Sequence, residues 1–205
     1  MRALATHDPV SIADAAAALG AGGVVVFPTE STYGIGADAS SSAALARLVA
    51  VRGREPGRPI LVLASDLTMV RTVAAALPPA AERLAARLWP GALTLVLPAR
   101  PDVSDALTAG TGTIGVRVPG HPMARALVAG LGRPVTAPSA NPPGREPART
   151  VAEAAAYFGD RVAAYVDGGR LGGGASTVVA VDGDRVRVVR AGLVDEATIS
   201  RALEE

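Results

Sequence analysis

The sequence predicts an α/β fold: a mixed sheet with helices on its faces. Three observations lead there. Short β-branched runs alternate with helical segments along the 205 residues. Hydrophobic residues make up 49% of the chain but aromatics only 3%, so the core must be filled by Ala, Val and Leu. The stretch STVVAVDGDRVRVVR reads as a hairpin turning at Asp182-Gly183-Asp184, which adds antiparallel pairing to strands otherwise joined through helices. The length suits one domain spanning residues 1–205, with enough chain for a sizeable core.

The elements follow in order. SIADAAAALGAGG is a helix stopped by glycines, and VVVFP (24–28) a buried strand. SSAALARLVAV (41–51) is a helix with a serine cap, and PILVLA (59–64) a strand. Helices are expected over 66–76 and 79–88, the second with Pro79 near its start. ALTLVLP (92–98) and TIGVRVP (113–119) are strands. HPMARALVAGLG is a helix and RPVTAP a strand. A helix near 151–158 precedes strands near 162–167, 176–182 and 185–190, and residues 195–203 close the chain as a helix.

Composition excludes several classes. There is no cysteine, hence no disulfide, zinc–thiolate or thiol chemistry. The net charge of +1 neither demands nor excludes RNA. The opening MRALATHDPV has no apolar h-region and no run reaches membrane-spanning length, so a cytoplasmic protein without membrane contact is expected. The only histidines are His7 and His121, and no G-x-S-x-G elbow occurs, which disfavours a Ser–His hydrolase. His121, before Pro122 at a helix start, reads as capping or exposed. No His/Asp/Glu spacing suggests a structural metal.

What remains is hydroxyls, glycines and arginines. Pro138 and Pro142 flank Ser139 and Asn141 in PSANPPG, a rigid strand end that is either a turn or a ligand rim. PTESTYGIGAD (28–38) is either a plain strand-to-helix loop or a place where a ligand approaches the backbone. RGREPGR (52–58) carries Arg52, Arg54 and Arg58, a solvated loop or a polyphosphate clamp. Arg117 shares a strand face with Gly115, opposite Val116 and Val118, and is either an edge residue or a carboxylate grip. GGRLGGGAST (168–177) can form an anion nest but lacks a Walker A ending, and Arg190 closes the following hairpin. Such a kit suits reactions in which the substrate brings the nucleophile and the protein supplies positioning and charge neutralisation.

The ordered blocks FPTESTYGIGADA, RGREPGRPI, LWPGALTLVL, TIGVRVPGHP, APSANPPG, DGG…GGGASTVV and VRAG resemble the YrdC-like family, from about Gly22 to Gly192. The resemblance implies a twisted α/β sheet with a large open cavity and the single-domain bacterial form of the family. It implies synthesis of threonylcarbamoyl-adenylate and pyrophosphate from L-threonine, bicarbonate and ATP, with Mg²⁺ carried on the ATP. A downstream transferase would then modify an adenosine in tRNA. The alternative is a paralogue of the same fold acting as an RNA-binding module, with at most weak RNA binding at this net charge.

Carried over by position, the resemblance implies threonine contacts at Ser31, Thr32, Arg117, Ala137 and Ser176. It implies ATP contacts at Arg52, Arg54, Arg58, Thr113, Ser139, Asn141 and Arg190, with Arg54 central to catalysis. The chain departs from the family pattern at Arg52, Glu55, Arg58, Leu63, Pro147 and Ala175.

Overall fold

The computed structural model describes residues 10–53 and 57–204. The strands divide between two mixed sheets. In the smaller, β1 (Val25–Pro28) pairs antiparallel with β2 (Tyr33–Gly36) and parallel with β7 (Ala164–Tyr165). The larger runs β6 (Val135–Thr136), β3 (Val62–Leu63), β5 (Thr113–Arg117), β4 (Leu93–Pro98), β8 (Thr177–Asp182), β9 (Arg185–Arg190). Its pairings alternate antiparallel and parallel from β6 to β9. The α/β class with mixed pairing is as the sequence predicts.

Strand β2 lies inside the segment that the sequence leaves as a loop. Its pattern YGIG has two glycines, which weaken any strand signal. Packing explains one of them. A Cβ on Gly36 would lie 2.7 Å from Phe27 Cε1, 2.7 Å from Val135 Cγ1 and 2.8 Å from the Thr136 carbonyl oxygen.

Residues 134–140 join the two sheets. Thr136 N–H donates to Ala37 O (2.9 Å), on the β2 side, while Ala137 N–H donates to Leu61 O (2.8 Å), on the β3 side. Pro138 O accepts Ile35 N–H (3.0 Å), and Ala140 N–H donates to Tyr33 O (2.8 Å). Proline lacks a donor, but at Pro134 and Pro138 the ladder uses the carbonyl, so the ring costs no bond.

The helices cover both sheets. Ser11 caps α1 (Ile12–Gly20), whose Leu19 packs with Phe27 and with Leu127 and Val128 of α6 (Pro122–Leu131). Ser41 caps α2 (Ser42–Arg52), which buries Leu45 and Leu48 in the main core. That core also takes in Leu84 of α4 (Pro79–Leu88), Phe158 of α7 (Val151–Phe158) and Ile199 of α8 (Glu196–Glu204).

The helix expected over 66–76 shrinks to one turn, α3 (Leu67–Val70). Its remainder turns to bond the end of β4: Ala75 N–H donates to Pro98 O, and Val73 O accepts Arg100 N–H (both 2.9 Å). A further turn, α5 (Asp105–Thr108), ends at Ala109 in the left-handed region (φ 53°) and is too short to show a period in sequence. Among the described residues, no helix is long and apolar enough to cross a membrane.

Candidate active site: an arginine-lined cleft

One face of the six-stranded sheet floors a cleft of about 720 Å³. Strand alternation selects its residues: Gly115 and Arg117 from β5, Thr94 and Val96 from β4, Val178 and Ala180 from β8, Arg187 and Val189 from β9. Gly115, Val96, Ala180 and Arg187 form one register row across four strands. The small side chains in that row leave the space, while Ile114, Val116, Leu95 and Val179 on the other face are fully buried.

A β-bulge sets the far edge. Val179 pairs with Val188 and Val178 with Arg190, so Val189 is the extra residue. Without it, alternation would turn Arg190 to the opposite face. With it, Val189 and Arg190 both line the cleft. Arg190 Nη2 donates to Ser176 O (2.9 Å) and contacts Ser176 Oγ (3.2 Å).

The walls come from loops. Thr29, Ser31 and Thr32 follow β1; Arg52 and Gly53 end α2; Arg58 to Leu61 lead into β3; Ala137 to Ser139 follow β6; Gly174 to Ser176 precede β8. Arg52 Nε donates to Ser139 O (3.0 Å), tying the helix end to the inter-sheet segment. Ser31 is buried beside Thr29 (Oγ1 to Oγ, 3.1 Å), and its carbonyl accepts the Gly173 amide (2.8 Å). Ser176 Oγ lies 2.9 Å from Thr94 Oγ1.

Tyr33 anchors the glycine-rich loop. Its hydroxyl accepts the Gly168 amide (2.9 Å) and donates to Gly169 O (2.8 Å), with Asp167 Oδ1 3.1 Å away. Burial, opposed by the Gly168 amide and aided by Asp167, pushes its phenol up to about 12, so it stays protonated at neutral pH.

The electrostatics are one-sided. Arg52, Arg58, Arg117, Arg187 and Arg190 line the cleft, and among the described lining residues there is no carboxylate and no imidazole. Burial, with the charges of Arg58 and Arg117, lowers the pKa of Arg190. Arg58 and Arg190 converge there with Arg117, whose charge Glu30 pairs from behind the wall, and the excess of cations on the described walls suits a polyanion.

Of the residues predicted from sequence, Ser31, Thr32, Arg52, Arg58, Thr113, Arg117, Ala137, Ser139, Ser176 and Arg190 all line this cleft. Arg54 and the departing Glu55 lie outside the described residues. The departures Leu63, Pro147 and Ala175 line it too.

Asn141 does not line it. Its Nδ2 donates to Pro142 O (3.0 Å) and Arg145 O (2.8 Å), so the side chain shapes its own loop. His121 occupies the N-cap position of α6 but makes no cap bond, and burial lowers its pKa although Glu30 opposes this.

Sequence reasoning missed two residues. Arg187 reaches the cleft by strand alternation, a signal present in RVRVVR. Glu30 pairs with Arg117, which needs the fold to be seen.

The Sua5/YciO/YrdC family, described as telomere recombination, matches residues 17–192. A threonylcarbamoyl-AMP synthase of Bacillus subtilis is 42% identical over 188 residues, 91% of this chain and 54% of that protein. One from Halorhodospira halophila is 41% identical over 165 residues, 80% of this chain and 86% of the other. The structure of P. abyssi Sua5 complexed with L-threonine superposes with a TM-score of 0.90 at 34% identity, covering 94% of this chain and 57% of that one. The chain thus spans about half the length of the B. subtilis and P. abyssi proteins. The family model covers most of the 205 residues, and the chain belongs to the Sua5/YciO/YrdC family.

Proposed function

We propose that the protein is an L-threonylcarbamoyladenylate synthase. It joins L-threonine, bicarbonate and ATP into threonylcarbamoyl-AMP, pyrophosphate and water, in the cytoplasm, for a transferase that modifies tRNA. The carrying observation is the cleft itself: five arginines, a set of hydroxyls and no carboxylate among its described walls. The names of the relatives, and the threonine in the P. abyssi complex, support the reading.

In this reading Arg117 holds the threonine carboxylate, with Ser31, Thr32, Ser176 and the Ala137 backbone around the rest of the amino acid. Arg52, Arg58, Thr113, Ser139 and Arg190 hold the nucleotide, and the family resemblance assigns Arg54 to its phosphates. The threonine amine attacks the bicarbonate carbon and water leaves, giving a carbamate; a carbamate oxygen then attacks the α-phosphorus and pyrophosphate leaves, so the enzyme needs no nucleophile of its own. Among the described residues no three or more of His, Cys, Asp and Glu gather to hold a metal ion. Mg²⁺ enters as part of the nucleotide substrate.

The test is threonine-dependent pyrophosphate release from ATP in the presence of bicarbonate. RNA binding without that release would replace the enzyme with the paralogue reading.

Ser139→Ala and Asn141→Ala should separate in this assay. Ser139 lines the cleft, so its loss should raise the ATP KM about 2- to 10-fold, one neutral hydrogen bond of roughly 0.5–1.5 kcal/mol. Asn141 braces a loop, so Asn141→Ala should lower Tm, with about 1–3 kcal/mol lost as Pro142 O and Arg145 O lose their donor. An Asn141→Ala protein with unchanged Tm and a raised ATP KM would place that side chain on the nucleotide instead.

A further inference from the structure

Arg117 is clamped before any ligand arrives. Its side chain is 4% exposed. Nε donates to the Gly91 carbonyl (2.8 Å), and the Gly91 amide is itself bonded to Val118 O (3.0 Å) at the end of the same strand. Nη2 meets Glu30 Oε1, and that oxygen also accepts the Gly120 amide (2.8 Å). Three loops, carrying Glu30, Gly91 and Gly120, thus close on one guanidinium. The approach is tight: a Cβ on Gly120 would lie 3.3 Å from Glu30 Oε1 and 3.5 Å from Gly91 Cα.

A guanidinium has five N–H donors in a rigid plane. Gly91 takes Nε and Glu30 engages Nη2, which anchors one side of the plane. Nη2 is buried against Glu30, so the Nη1 side is what is left for the cleft that Arg117 lines. Glu30 is an expensive way to do this. Its Oε2 is buried without a hydrogen-bond partner. Buried ion pairs are weak contributors to net stability, and a half-satisfied carboxylate weaker still. Burial opposes ionisation of Glu30, but the bond and charge of Arg117 and the Gly120 amide outweigh it, so its carboxyl sits below the usual range.

We propose that Glu30 is the positioning residue that orients Arg117 for the amino-acid carboxylate, acting wholly through the guanidinium and touching no substrate. This rests on the threonine reading of the cleft.

The test is steady-state kinetics with threonine and ATP varied separately, in wild type and in the Arg117→Lys background. Glu30→Ala should raise the threonine KM at least tenfold and leave the ATP KM within twofold. Glu30→Gln, which keeps an acceptor oxygen, should fall between wild type and Glu30→Ala, and it serves alone if the alanine protein does not fold. Added to Arg117→Lys, Glu30→Gln should shift the threonine KM less than twofold, because there is no fork left to orient. A merely structural role would lower Tm and active fraction and leave the threonine KM alone. A wild-type threonine KM in both Glu30 variants, an equal rise in both KM values, or full additivity with Arg117→Lys would overturn the proposal. A wild-type protein that never responds to threonine would sink the substrate reading itself.

Discussion

Arg117→Lys should raise the threonine KM well above tenfold and leave the ATP KM nearly unchanged. The substitution keeps the charge and loses the plane. An ammonium has no Nε, so the Gly91 carbonyl loses the donor now 2.8 Å away. A single ammonium cannot present two parallel donors to a carboxylate, whichever way it turns. The substrate carboxylate then loses a charge-assisted contact worth roughly 1.5–3 kcal/mol, or about 10- to 150-fold in affinity. Arg190 and Arg58 are unchanged, so nucleotide affinity should hold. Steady-state kinetics on the folded variant decide the matter. A threonine KM equal to wild type would mean the carboxylate is held elsewhere, with Arg190 the next candidate.

Gly36→Ala should cost about 2–3 kcal/mol, the upper end for overpacking in a core. The new methyl would meet a ring carbon of Phe27 and a methyl of Val135 at 2.7 Å, and the Thr136 carbonyl at 2.8 Å. Phe27 and Val135 are fully buried, and Thr136 is held by its bond to Ala37, so none can step aside cheaply. For a chain of this size the loss corresponds to a Tm lower by roughly 5–10 °C. Thermal unfolding measures it, and an unchanged Tm would show that the β2 backbone can move off the 135–136 segment.

The site was more legible than the architecture. Arginines and hydroxyls at strand ends suggested a polyanion site but left each segment an alternative, and the family resemblance assigned the residues, ten of which line one cleft. Period-2 alternation put Arg117 opposite the core-facing Val116 but left it either an edge residue or a carboxylate grip, and the family resemblance chose the second. The second sheet was not legible. Gly36 is a glycine because the backbone is pressed against Phe27 and against Val135, which lies far along the chain. Arg190 reaches the cleft only because Val189 is extra, and a one-residue slip in register cannot be read from the pattern VRVVR. Glu30 sits in a run of hydroxyls with no signal of its own, and its partners Arg117 and Gly120 come from elsewhere in the chain.

Residues 134–140 hold both sheets together and also carry Ala137 and Ser139 on the cleft wall. The stitch that makes the molecule one mechanical unit is therefore also the surface that a ligand would press on. Neither sheet can fray along this edge without releasing partners in the other, since Thr136 and Ala137 spend adjacent amides in opposite directions. Occupancy of the cleft would be felt as tension on that shared thread, and the slowest-exchanging amides on its two sides should open together.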